Sequence, residues 1–468
     1  MPPDPIVRVF AALPRYLRLE PFDVSTAEGR AAERYRRAAL AATAGFCTRL
    51  AGMLLMVLTV YVAAPYLGPT RFGLWATFAS LAAMLSFLDL GVGNALVNRV
   101  SQAAASGDLS DMRRAVAGGL GWLTVIGTAM AIVLASAANL IPWGGLLNLS
   151  DPAIAEEARN TALAFSGVFG VHLVSSGALK ILAGQQRSHE AHAVSGVGTL
   201  LACAAVLWAA YEQADVTRLL LAGFGVQAAA GLLVLPLLWF RGLLNGADLL
   251  ADMHKERGWL FRAGSLFLLL QIGTMIGWGS DALLLASFVG PAEVAIFVVA
   301  QRLFQFAAQP FAIINAPLWA AYADARARSD RPFIRKTLMR SILVSGFGSL
   351  LVAAVICLTA PWIVPYWTRG AIEVPMTLIF LAAIWTVFEA CGNAFSTYLN
   401  GAGIVREQVV VVMAFCAVAL PMKVLAATYA GAPGLVFATI IAYGLAVVLP
   451  YATVFRQRVL EPLRQVPR

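Results

Sequence analysis

The sequence predicts an all-α polytopic membrane protein, with twelve transmembrane helices arranged as two parallel-repeat six-helix lobes. Three observations predict this. Apolar windows of helical length follow one another along nearly the whole chain. Only 13% of the 468 residues are charged while 60% are hydrophobic, with a mean hydropathy of +0.77. Loop and turn residues also repeat between the two halves. Soluble domains carry about 25% charged residues, so a water-soluble fold could not hide this much apolar surface.

A bilayer core takes about 20 apolar residues per helix. Windows of that kind lie at Leu40 to Tyr66, Gly73 to Val97, Ala115 to Leu140, Thr161 to Leu182, Val194 to Tyr211 and Leu219 to Phe240. A polar stretch follows, and six more windows run over Ala263 to Val289, Val294 to Ala321, Ser341 to Val364, Val374 to Leu399, Val409 to Tyr429 and Leu435 to Val454. The expected divisions are a tail over 1–37, an N-lobe over 38–240, a linker over 241–262, a C-lobe over 263–455 and a second tail over 456–468. In the first tail Ile6, Val7, Phe10, Leu13 and Leu17 alternate with Arg8, Arg15 and Arg18, a pattern open to an interfacial helix or a disordered tail.

Short loops rich in Lys and Arg stay on the cytoplasmic side. With both termini inside, 26 of the 34 Lys and Arg fall in cytoplasmic segments, and the outer loops keep only Arg71, Arg159, Arg218 and Arg369. The net charge of +9 is then a topology signal and a contact with anionic headgroups, not a nucleic-acid surface. Cys47, Cys203, Cys357, Cys391 and Cys416 all lie in apolar runs, and His172, His189, His192 and His254 make no metal-ligand spacing with them. No nucleophile motif and no nucleotide-binding loop stands out. Gly91-Val92-Gly93 follows no strand, so it is read as helix packing or local unwinding. Nothing in the chain calls for an enzyme, a metal or a cofactor.

The repeat is visible where Gly68-Pro69 and Gly290-Pro291 each end one span and open the next, an offset of 222 residues. The same offset brings Asp108 onto Asp330, Arg113 onto Arg335 and Trp75 onto Phe297. Further on the offset is 217, aligning Leu182-Ala183-Gly184 with Leu399-Asn400-Gly401 and Glu190 with Glu407. Units of six spans begin and end on the same side, which makes the repeats parallel about an axis along the membrane normal.

The run Leu67-Gly-Pro-Thr-Arg-Phe-Gly-Leu-Trp75, the segment Asp89-Leu-Gly-Val-Gly-Asn94 and Leu399-Asn-Gly-Ala-Gly403 resemble the polysaccharide-transport (Wzx-type, O-antigen flippase) branch of the multidrug/oligosaccharidyl-lipid/polysaccharide (MOP) exporter superfamily. The resemblance covers the chain after its N-terminal tail. It implies a MATE/MOP-like pair of lobes forming a V, with a cavity lined by the first, second, seventh and eighth spans.

Charges inside the predicted spans are Arg49, Asp89, Lys180, Asp281, Arg302, Glu389 and Lys423. Each costs about 3 kcal/mol if it faces lipid, so most must face protein or a wet cavity. Counting residues from the tight turns places Arg49 level with Asp89 and Asp281 level with Arg302. Two readings of these pairs are open: ion pairs within helical hairpins, or cavity-lining groups in which Arg49, Arg302 and Lys180 bind the pyrophosphate and sugar of a lipid-linked oligosaccharide. Asp89, Asp281 and Glu389 would then serve ion coupling or gating, with H+ or Na+ as the coupling ion. Glu389 is the repeat equivalent of His172, Lys180 is open to snorkelling at a helix end, and Pro310 and Pro317 suggest a kinked eighth span. The resemblance implies a flippase of the bacterial inner membrane acting in cell-surface polysaccharide synthesis, with polymerases and glycosyltransferases as partners. The alternatives are an ion-coupled drug or organic-cation antiporter of the same superfamily and a membrane-embedded polysaccharide enzyme.

Overall fold

The computed structural model describes residues 17, 18, 20, 22, 23, 25–85, 92–244, 251–256, 271–315 and 318–459. The expected interfacial helix, Asp89, Gly91 and Pro317 lie outside them. Among the described residues there is no strand, and nine helices are long and apolar enough to cross a membrane.

Two of the nine are too long for one crossing. Ala39–Met84 and Val405–Ala452 hold 46 and 48 residues, about 70 Å of helix against a hydrocarbon core of about 30 Å. Each breaks in the middle. The first helix, α1 (Ala27–Leu85), turns at Gly68, whose φ of 67° and ψ of 174° no helical residue adopts. The other, α12 (Val405–Tyr443, running on to Ala452), breaks at Ala430 and Gly431, with φ 58° at the glycine. A left-handed φ is cheap only for glycine, so the break falls there and Pro69 opens the returning helix. Gly290 does the same with φ 129° between α7 (residues 271–288) and α8 (Pro291–Asn315). Residues 271–289 are the described part of the expected seventh span.

The remaining elements are α2 (Val92–Ser106), α3 (Leu109–Leu140), α4 (Pro152–Gly184), α5 (Ser188–Tyr211), α6 (Val216–Phe240), α9 (Leu318–Ala327), α10 (Arg331–Thr368) and α11 (Met376–Gly401). Many overrun the apolar windows, because charged residues outside the bilayer continue a helix without interrupting it. The first helix begins at Ala27, well before the expected start near residue 38, and α10 begins at Arg331 instead of Ser341. Segment 141–160, between the third and fourth expected spans, holds a helical turn at Trp143–Leu146 and becomes helical again after Asp151, which caps α4 by accepting from Ala153 N at 2.8 Å.

Equivalent residues in the two halves make equivalent contacts. Asp108 caps α3 and Asp330 caps α10, accepting from Ser110 N at 2.8 Å and Phe333 N at 3.0 Å. A Cβ on Gly184 would lie 2.9 Å from Val97 O and 2.8 Å from Val100 Cβ. A Cβ on Gly401 would lie 2.6 Å from Trp319 O and 2.8 Å from Tyr322 Cβ. Val97 and Val100 sit 222 residues before Trp319 and Tyr322, so the same close crossing is built twice. The pairings α3 with α4 and α10 with α11 repeat it on a larger scale.

At the end of the bundle that carries Asp108 and Asp330, ion pairs hold the connections down. Arg99 bridges Asp111 at 2.6 Å and Glu256 at 2.9 Å, and the two carboxylates raise its pKa above the ordinary arginine value. Glu256 belongs to the linker, whose residues 251–256 are helical and whose Met253 carbonyl accepts from Trp122 Nε1 at 2.8 Å. At the start of α1, Glu33 binds Arg36 at 2.7 Å and Arg37 at 2.9 Å and accepts from Phe22 N at 3.0 Å. These partners pull the Glu33 pKa down to about 2.

Candidate substrate site within the membrane

The strongest candidate is one face of α8. Gln301, Gln305 and Gln309 recur every fourth residue and all three are exposed, so they form a stripe of amides along the helix. They lie about 15, 21 and 27 Å along the helix from Pro291, the depth of a hydrocarbon core. An amide exposed there to lipid would lose its hydrogen bonds; the stripe therefore borders a wet space. The other faces of α8 are taken by α1, α10 and α11.

Arg302 stands beside this stripe. Its guanidinium lies over the Trp75 ring of α1, 4.9 Å from the centroid, and among the described residues no carboxylate comes within 4.0 Å of it. The side chain is half-buried. Glu389 on α11 is exposed. Next to it are Phe388 and Trp385, which meet the Tyr443 ring with centroids 6.1 and 5.4 Å away. The glutamine stripe escaped the sequence reading, which followed charges; its spacing of four was the available signal.

Asp281 does not pair with Arg302. It binds Lys423 of α12 at 2.7 Å instead, because α7 packs along α12 while Arg302 turns toward α1 on the far side of the hairpin. The ion pair expected within that hairpin is therefore not formed. Arg49 is exposed on the stripe of α1 that also exposes Phe46, Leu50 and Leu54, and its expected partner Asp89 lies outside the described residues. Lys180 is half-buried near the end of α4. Asp281 and Arg302 are thus brought to opposite sides of one hairpin, and Arg302 and the glutamines to one.

Near the Gly68 end, the last turn of α10 clasps α1. Trp367 Nε1 donates to Val57 O at 2.9 Å, and the Arg369 guanidinium lies 4.2 Å from the Tyr61 ring centroid. Tyr61 and Tyr366 stand 6.4 Å apart. A Cβ on Gly73 would sit 1.6 Å from Pro291 O, so the two equivalent turns touch.

Helices of membrane-crossing length, with the same close crossing built twice beside a polar stripe, define a polytopic membrane fold with an internal repeat. Residues 38–319 match the model of the family described as polysaccharide biosynthesis protein, and the chain belongs to that family. No curated protein matches it. Among solved structures, it is similar to a multidrug-resistance MATE transporter of the MOP superfamily in an inward-facing conformation, with a TM-score of 0.73 at 16% identity over 89% of this chain and 96% of that one. The lipid II flippase MurJ, in an inward closed conformation, gives 0.69 at 12% identity over 89% and 87%. A MOP superfamily transporter from Pyrococcus furiosus gives 0.63 at 14% identity over 92% and 97%. The fold is that of the MOP superfamily, and these relatives are transporters and flippases.

Proposed function

We propose that the chain is a flippase that carries a polyprenyl-pyrophosphate-linked oligosaccharide across the bacterial inner membrane by alternating access. The observation that carries this reading is the α8 wall: one arginine and three amides at membrane depth in a chain of the polysaccharide biosynthesis family. A guanidinium offers a planar fork of donors to a pyrophosphate and keeps its charge when partly desolvated. Amides both donate and accept, which suits sugar hydroxyls. The polyprenyl tail stays in lipid while the headgroup crosses along this wall.

The basic-residue asymmetry orients the protein with both termini and the linker in the cytoplasm and the Gly68 and Gly290 turns outside. Two six-helix lobes, divided near residues 240 and 263, rock about the cavity between them. Arg49 and Lys180 lie toward the cytoplasmic half and receive the headgroup before Arg302; Asp89 and Glu389 serve coupling, driven by the membrane potential or an H+ or Na+ gradient. Glycosyltransferases supply the substrate and a polymerase consumes it.

Proteoliposomes loaded with a labelled polyprenyl-pyrophosphoryl sugar test this, with an impermeant glycosidase reporting the fraction that has crossed. Arg302→Ala should slow crossing at least tenfold at equal folded protein, and Arg302→Lys should keep part of the rate. An unchanged rate in Arg302→Ala removes the assignment. One observation favours a second reading: Glu389 beside Phe388, Trp385 and Tyr443 is the pairing of carboxylate and rings that an organic cation seeks. Under that reading Glu389→Gln would abolish efflux of a quaternary ammonium compound and Arg302→Ala would spare it.

A further inference from the structure

Helix α7 is not a plain α-helix: Met275–Gly279 form a π-turn. Such turns widen the ladder and loosen its carbonyls from their usual donors, and they recur at functional positions. Gly277 lies inside it, facing α12, where a Cβ would come within 3.0 Å of Phe415 Cδ1 and 3.2 Å of Cys416 Sγ. Gly273, four residues earlier, would meet Val412 Cγ1 at 2.5 Å. Two glycines at this spacing let the backbones of α7 and α12 close up.

Lys423 fills the place so made. Its side chain is fully buried, and its Nζ donates to Gly277 O at 2.6 Å and to Asp281 Oδ1 at 2.7 Å. The Phe415 ring, stacked on Trp278 at 4.3 Å, presents itself 5.5 Å from the same nitrogen. A carboxylate, a backbone carbonyl and a ring face are the ligands a free monovalent cation takes. An ordinary ion pair accounts for Asp281. The ammonium has two further N–H donors, and the π-turn supplies the Gly277 carbonyl to one of them.

We propose that α7 and α12 enclose a monovalent-cation site which the protein occupies with its own tethered ammonium, so that this contact needs no ion from solution. Shortening the tether opens the site to a small cation: ammonium, methylammonium or Na+. The inference is independent of what the protein transports, since it concerns only how two helices are joined.

The test uses the purified full chain in lipid nanodiscs, with ammonium, methylammonium or sodium chloride exchanged against choline chloride at constant ionic strength. Wild-type melting should ignore the exchange. Lys423→Ala should melt lower in choline and recover as the cation is raised, the midpoint climbing with the logarithm of concentration once binding begins. The double variant Asp281→Asn, Lys423→Ala should not respond. A flat response of Lys423→Ala to all three cations, or an equal response of the double variant, overturns the proposal. If Lys423→Ala does not accumulate, methylammonium in the growth medium should restore its yield severalfold, and no restoration overturns the proposal as well.

Discussion

The clasp between α10 and α1 joins the two halves of the chain near the Gly68 turn, on the outer side in the proposed orientation, and its strength can be worked from its contacts. The bond from Trp367 Nε1 to Val57 O is a single neutral hydrogen bond, worth about 1 kcal/mol net. Val57 O already accepts within its helix, so Trp367→Phe strands no acceptor. Arg369 over Tyr61 is an exposed cation–π contact, worth about 0.5–1 kcal/mol. Removing both with Trp367→Phe and Arg369→Ala costs the closed state roughly 1.5–2 kcal/mol, which is a shift of roughly 10- to 30-fold in the closed-to-open ratio. If the closed form starts near 99 in 100, about one molecule in ten to one in four becomes open. Pulsed dipolar spectroscopy can count them, with spin labels at Arg159→Cys and Glu373→Cys in a cysteine-free background. Glu373 is exposed in the connection between α10 and α11, and Arg159 is half-buried on α4. A long-distance population that fails to grow in the double variant would refute the reasoning, as would equal growth in a control that changes only the exposed Arg218.

Three further outcomes follow from the same geometry. Gln305→Leu should slow translocation about tenfold, the loss of one or two sugar hydrogen bonds, without changing the melting temperature, whereas Gln305→Asn should keep part of the rate. Gly184→Ala and Gly401→Ala should each destabilise the chain by about 1–3 kcal/mol, read by thermal unfolding in detergent, because each new Cβ meets backbone or a Cβ below 3.0 Å. For Glu33 the folded pKa of about 2 lies below its ordinary 4.5. Its contribution is therefore complete above about pH 4.5 and is lost as the pH falls toward 2; hydrogen exchange near Phe22 should rise over that window, and Glu33→Gln should raise it already at neutral pH.

What could be read from the chain alone follows what is local. Apolar windows located the spans, and the Gly68 and Gly290 turns located the hairpins, because a left-handed break between two apolar runs leaves a local mark. Asp108 and Asp330 were legible as equivalent positions and prove to be equivalent caps. The partner of Asp281 was not legible: counting from a turn gives depth but not azimuth, and the choice of α12 over α8 depends on how Gly273 and Gly277 let α12 approach. Helix ends were misjudged for a related reason. Hydropathy senses the slab, whereas a helix stops at a cap, and caps such as Asp330 stand outside the slab.

The doubled crossing at Gly184 and Gly401 gives the two halves one scaffold, yet the buried Lys423–Asp281 pair exists in only one of them. The equivalent positions in the first half hold Val206 and Thr59, both buried and uncharged. Apolar side chains can slip past one another by a fraction of a turn at little cost, while a buried ion pair cannot lose register without leaving two charges uncompensated, which costs several kcal/mol. The α7–α12 contact is thus a rivet and its counterpart between α1 and α5 a sliding joint.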